Sequence, residues 1–289
     1  MRILVSLYLA VVLGGCATAQ EPTLALDAMA TFDTRLSETS GLVRWQQGFI
    51  SHNDSGNDAE LFMLTAHGDL IARLPVAAGN HDWEDIAVRG NTLYVADIGN
   101  NKGRRRELSI LPLTLEQNNI RVHPSLPVAY AEQRHFQPAP HQHNFDAEAL
   151  TWVADELWLF TKRWLDQDTA LYKVPTTGDL QPLRAQQRLN TRMLVTGAEF
   201  DAESNTLLLL GYSRNWWNRI AWIWLYPVQD GRVQEGRGQR LRLDKGGQFE
   251  GIALGQDDFI YVTREGHDTN LFRSHLTLSQ LLEQGLVNE

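Results

Sequence analysis

The chain has 289 residues, 21% of them charged, nine tryptophans and a formal net charge of −9. That length is ample for one large core, and the composition is that of a globular protein and not a disordered one. An acidic surface argues against nucleic acid or anionic lipid as the main partner and leaves cations and basic partners open.

The first residues read as a processing signal. Met1-Arg2 is a short basic start, residues 3–13 are an apolar run too short for a permanent membrane span, and Leu13-Gly14-Gly15-Cys16 places two small residues before the only cysteine. The expectation is a signal peptide over residues 1–15, acylation of Cys16, and a lipidated tether over residues 16–23. One cysteine excludes a disulfide within the chain. Membrane attachment would then be through lipid alone. Ala17 follows the cysteine, and lipoproteins of this kind without Asp at that position usually pass to the outer membrane. The expected location is the cell envelope, facing the periplasm.

From residue 24 to 289 a single domain is expected, organised by a repeat. Each unit opens on a polar residue, runs into a short apolar strand, turns, and returns in a β-rich strand that ends on another polar residue. The opening residues are Ser40, Glu84, Glu148, Glu199 and Glu250; the closing ones are Asp54, Asp97, Lys162, Tyr212 and Arg264. A third apolar run follows each hairpin, at residues 61–64, 108–113, 170–174, 221–228 and 271–276. A fourth is expected at 70–76, 128–136, 183–189 and 239–243. Four antiparallel strands at a period near 50 residues specify an all-β fold, a β-propeller of four-stranded blades. Five blades fit the count; a sixth would have to lie within residues 116–144. The last unit lacks its fourth strand because residues 277–286 have helical spacing, and residues 24–32 are available to complete it from the other end of the chain.

The start of a blade's first strand and the end of its second share one face, so both sets of polar residues are expected as rings at one mouth of the channel. Carboxylates this close repel by roughly 1–4 kcal/mol per pair and require a positive partner. Three arrangements satisfy this. Lys162 and Arg264 can pair with neighbouring glutamates while backbone N–H groups serve the rest. Alternatively Glu84, Asp97, Glu148 and Glu250 can hold a hard cation, calcium, with Asn53, Asn100 or Asn101 adding oxygens. In the third, such a metal activates water for hydrolysis of a phosphoester or lactone bond.

Other stretches carry less. Ser55 lies in a turn and not in a nucleophile elbow. His141 and His143 with Asp146 have the donors for zinc, in a Pro-flanked loop. Residues 102–106 form a basic run leaving the rim beside Asp97, an exposed loop or an anion clamp. Trp216-Trp217 falls in a loop beside Tyr212, either stacking a sugar or peptide or packing on the next blade.

The set Ser40-Gly41-Leu42, His52-Asn53-Asp54-Ser55-Gly56, Asp82-Trp83-Glu84-Asp85-Ile86-Ala87, Ala96-Asp97-Ile98-Gly99-Asn100-Asn101, Ala147-Glu148-Ala149-Leu150, Thr161-Lys162 and Phe249-Glu250-Gly251-Ile252 resembles a family of secreted or lipid-anchored bacterial β-propellers. More loosely it is similar to the SdiA-regulated and phytase-like propellers, some of which bind calcium in or near the channel. The likeness covers most of residues 37–275 and implies fold and compartment, not a reaction. The acidic calcium sites of phytases are not matched residue by residue, and Asn100 stands where Asp is more usual. The functional expectation is an envelope lipoprotein that binds a small ligand or cation at its acidic face. A metal-dependent hydrolase and an assembly platform for another envelope protein are the alternatives.

Overall fold

Alternating apolar side chains fold each repeat into an antiparallel meander, and five such sheets stand around one axis. The computed structural model describes residues 21–116, 119–177, 181–266 and 268–286; the expected leader and Cys16 lie outside them. Blade 1 consists of Thr39–Trp45, Gly48–Asn53, Glu60–Thr65 and Leu70–Pro75. Blade 3 is Asp146–Val153, Glu156–Lys162, Thr169–Val174 and Gln187–Leu189. Blade 4 is Leu194–Asp201, Thr206–Tyr212, Ala221–Gln229 and Gln239–Leu243, with the short Arg232–Val233 pairing on its third strand. The first strands of the five blades neighbour one another in a closed ring and line the channel.

Blade 2 departs from expectation at its outer edge. Its strands Trp83–Arg89, Thr92–Asp97 and Leu108–Glu116 are followed by two short strands, Asn119–Val122 and Leu126–Val128, both paired to the long third one. The strand expected over residues 128–136 ends at Val128. Beyond it the chain crosses to blade 3, where Tyr130 bridges Leu183 and the Ala131 N–H donates to the Leu183 carbonyl. This segment links two blades and leaves no sixth blade.

Blade 5 closes the ring as expected. Phe249–Leu254, Phe259–Arg264 and Leu271–Thr277 come from the C-terminal end, and Leu26–Ala30 from the N-terminal end adds the fourth strand, antiparallel to the third. Just before it, Thr23–Leu24 pairs in parallel with the outer strand of blade 4. The N-terminal segment therefore spans two blades and covers both edges. The helix Leu278–Leu286 packs Leu278 and Leu281 into the core between blades 4 and 5. Among the described residues no helix is long and apolar enough to cross a membrane.

The core is divided among the five blade-to-blade contacts, each a separate apolar cluster. One irregularity recurs in all five inner strands. A β-bulge interrupts the register between Thr39 and Leu42, Trp83 and Asp85, Ala147 and Ala149, Val195 and Gly197, and Phe249 and Gly251. Such a bulge takes a residue out of the ladder and re-aims its side chain. The residues so displaced include Ser40, Glu84, Glu148, Thr196 and Glu250. After three of these bulges comes glycine, where neighbouring strands approach too closely for a side chain. A Cβ on Gly251 would lie 2.7 Å from the Cβ of Leu42, and one on Gly197 2.7 Å from the Glu250 carbonyl oxygen.

Candidate acidic cation site at the channel mouth

The bulges place Glu84, Glu148 and Glu250 at one mouth of the channel, all buried. In blades 1 and 4 hydroxyls stand at the same position and stitch blades together. Ser40 donates to the Glu84 carbonyl and Thr196 to the Phe249 carbonyl, each at 2.6 Å. Thr196, not Glu199, is thus the blade 4 member of the ring. The first hairpin of blade 4 turns through four residues, 202–205, where those of blades 2 and 3 turn through two, which moves the glutamate down the strand. Glu199 lies deeper in the channel, accepting from the Phe200 N–H at 2.9 Å and the Leu254 N–H of blade 5 at 3.3 Å. Asp85 does the same for the Ile86 N–H and the Leu150 N–H of blade 3. These two carboxylates serve inner-edge N–H groups that no strand reaches, and burial pushes Glu199 up to about 7.

Of the closing residues, the structure brings Asp54, Lys162 and Tyr212 to the mouth and holds Asp97 and Arg264 apart. Asp97 is enclosed by Arg105 at 2.5 Å, His81 at 2.9 Å and the Asp82 N–H at 3.2 Å. Its oxygens are committed, and it belongs to neither of the two carboxylate triads at the mouth. Arg264 turns away, donating to the Gly246 and Thr269 carbonyls and lying 4.9 Å over the ring of Phe272. The next residue, Glu265, joins the mouth instead: Arg264 pairs with Phe249 directly before the bulge, whereas Lys162 of blade 3 pairs with Asp146 one step further out.

Two further acids complete the cluster. Asp54, Asp82 and Glu84 offer oxygens that all lie within 4.8 Å of one another, as do Glu84, Asp146 and Glu148. Glu84 is common to both groups. It is 4% exposed, and among the described residues its carboxylate takes part in no hydrogen bond or ion pair. Burial first, and then the charges of Glu148, Asp54, Asp82 and Asp146, hold it well above the usual carboxylate range. Burial and Asp54 push Asp82 up to about 6. Burial, Glu250 and Asp54 push Glu265 up to about 8. Asp146 is oriented by the Asn100 N–H at 2.6 Å and the Trp164 indole N–H at 2.7 Å.

Lys162 supplies the buried positive charge. Its ammonium donates to Glu148 and, at 3.0 Å, to the Tyr212 hydroxyl, which donates to Glu250 at 3.2 Å. Burial alone would lower its pKa; Glu148, Tyr212 and Glu250 outweigh that and keep it charged. Arg105 adds a second cation at the edge, 4.0 Å from Asp82. Seven carboxyl groups (Asp54, Asp82, Glu84, Asp146, Glu148, Glu250, Glu265) thus face two cationic groups. The atoms these acids offer are all oxygens, a donor set suited to a hard cation.

The remaining candidates find other roles. The His143 ring nitrogens are taken by the Phe145 N–H and the Asn101 carbonyl, and His141 stacks on Trp164, so the pair does not form a zinc site. The basic run divides: Arg105 enters the rim, while Arg106 stacks over Phe136. Ser55 caps Asp54 through its N–H. Trp216 and Trp217 stack on each other, exposed to solvent, and do not pack on the next blade. Sequence reasoning missed Glu265, Asp82 and Thr196 as parts of the mouth and placed Asp146 only in a zinc site. Asp146 was accessible, lying two residues before Glu148 on the same strand face.

Solved structures with related folds include a glucose dehydrogenase, at 12% identity and TM-score 0.51 over 87% of this chain and 99% of that one. Another glucose dehydrogenase structure matches at 10% identity and TM-score 0.52, with the same coverage. A Trichoderma reesei protein of carbohydrate-active enzyme family AA12 matches at 10% identity and TM-score 0.51, over 89% and 98% of the two chains. At these identities the likeness concerns the fold alone. Comparison with curated proteins finds no match. The SdiA-regulated family model matches residues 53–274, from the end of the second strand of blade 1 to the third strand of blade 5, and the chain belongs to the SdiA-regulated family.

Proposed function

We propose that the chain is a lipid-anchored envelope protein whose propeller binds a hard divalent cation, calcium, at its acidic mouth. The observation that carries this reading is Glu84, a buried carboxylate without a partner among the described residues, at the junction of two oxygen triads. An uncompensated buried charge is costly. Glu84, Asp146 and Glu148 would hold the ion, with Asp54 and Asp82 on its solvent side. A bound cation would reverse the upward displacement of the Glu84 pKa by favouring the ionised form.

The test is thermal unfolding and calorimetric titration of chelator-treated protein. Saturation at a hundredfold excess over Kd is expected to add about 2.7 kcal/mol, or roughly 5–11 °C in a domain of this size. Glu84→Gln should abolish the calcium-dependent shift. A wild-type melting curve indifferent to calcium refutes the cation site. The anchor is tested separately: Cys16→Ser should release the protein from the membrane fraction after carbonate washing, and retention would refute it.

A further inference from the structure

Four large apolar side chains stand out as exposed among the described residues, and three lie on neighbouring loops at the acidic face. Leu165, 53% exposed, is on the loop after Lys162 in blade 3; Trp216 and Trp217, 64% and 76% exposed, are on the loop after Tyr212 in blade 4. The fourth, Ile71, is on the outer strand of blade 1. Arg214 ties the two loops together by donating to the Trp164 carbonyl at 3.0 Å. The blade 4 loop is braced internally: the Ser213 N–H donates to the Ile220 carbonyl, the Ile220 N–H to the Ser213 hydroxyl, and the Trp217 N–H to the Asn215 side chain. The indoles stack with ring centroids 3.3 Å apart. A fixed loop thus holds a large apolar surface in water, which a monomeric soluble protein rarely does without a partner.

The same blade receives the N-terminal end of the fold. Glu21 accepts from the Trp222 indole N–H at 3.0 Å and pairs with Arg240. Trp222 follows the Trp216-Trp217 loop directly on the third strand. Glu21 is five positions after Cys16, a length of chain that spans at most roughly 17 Å. A lipid on Cys16 would therefore hold the edge of blade 4, and with it the tryptophan loop, close to the bilayer.

We infer that Trp216, Trp217 and Leu165 form a membrane foot that enters the interfacial layer of the bilayer, with Arg214 at its base facing lipid phosphates. The lipid-anchor reading supplies the proximity; the exposed side chains supply the affinity. Indole rings favour this layer because their apolar faces and polar N–H groups are both accommodated there. The net charge of −9 makes a zwitterionic surface the suitable one, with insertion driven by apolar burial.

The experiment uses the mature chain from residue 16 with Cys16→Ser, which retains every described residue but carries no lipid. Vesicles of phosphatidylethanolamine and phosphatidylcholine are added in EDTA, so that the cation site plays no part. Sedimentation and quenching of tryptophan fluorescence by brominated lipid report insertion. Wild-type loops should partition and be quenched, and Trp216→Ser/Trp217→Ser should lower the partition coefficient by about tenfold or more. Ile71→Ser, on the outer strand of blade 1, should leave it unchanged. Equal partitioning of the double variant overturns the proposal. So does wild-type protein that ignores vesicles, and quenching by soluble glycan or peptide fragments instead would assign the pair to a stacking ligand. Failure of the anchor reading is distinguishable, since it is read from cell fractionation of the Cys16→Ser variant and not from vesicles.

Discussion

Replacing Lys162 with methionine keeps most of the apolar stem of the side chain and removes the buried positive charge of the mouth. In the cation-free protein this leaves Glu148 without its ion-pair partner and the Tyr212 hydroxyl without its donor. Breaking a buried pair costs about 3–5 kcal/mol. At roughly 2–4 °C per kcal/mol for a domain this large, melting should fall by about 6–20 °C in EDTA. Calcium should reverse much of that loss. A unit charge removed some 5–8 Å from a divalent ion relieves a repulsion on the order of 4–7 kcal/mol at an effective dielectric constant near 20, so the variant should bind calcium more tightly than wild type. The assay is thermal unfolding of wild type and Lys162→Met in EDTA and in millimolar calcium, with calorimetry for affinity. Lys162→Met/Glu148→Gln is the control and should regain stability in EDTA, because the unpaired charge is gone. An equal loss for Lys162→Met with and without calcium, or weaker calcium binding, would show that Lys162 and the cation do not share one electrostatic site.

Three further outcomes are expected. Asp82 and Glu265 are displaced upward to about 6 and about 8, so the folded state holds protons that the unfolded chain releases from about pH 4 upward. Their contribution is present at low pH and lost as pH rises through those values. Cation-free protein should therefore lose stability from about pH 4 to 8, with both groups contributing below about pH 6 and Glu265 alone above it, at up to about 1.4 kcal/mol per pH unit for each group, and calcium should flatten the slope; a metal-free melting temperature constant across that window would refute the assignment. Deleting residues 21–32 removes the closing strand and the buried side chains Leu24, Leu26 and Phe32. At about 1.5–3 kcal/mol each, these approach the whole stability of an ordinary domain, so the truncated chain should aggregate or melt far lower, and an unchanged melting temperature would refute closure. Thr196→Val should cost about 1–3 kcal/mol by leaving the Phe249 carbonyl without its donor, whereas Glu199→Gln should leave calcium affinity unchanged; the opposite pattern would return Glu199 to the ring.

Blade number, strand order and closure were readable from the residues because they depend on local pattern. Alternation specifies a strand, a turn signal specifies a hairpin, and a unit with one strand too few must be completed by the segment with none to pair. Residues 24–32 met that need, and Leu26–Ala30 forms the strand. The mouth was only half readable. Glu84, Glu148 and Glu250 were found because each opens the first strand of its blade, and Lys162 and Tyr212 because each ends a second strand. Asp97 and Arg264 were misplaced because each pairs directly before its bulge, one step short of the positions of Lys162 and Tyr212, and Glu199 because it lies three residues beyond the blade 4 bulge; a shift of one sends a strand side chain to the other face. Asp82 and Asp146 lie two residues before Glu84 and Glu148, but that the clusters of blades 2 and 3 meet, and that Glu265 of blade 5 joins them, depends on separations of more than 60 and 100 residues that no local spacing encodes. Charge type was set by the chain itself; which carboxylates meet, and which one is left without a partner, was decided only when the ring closed.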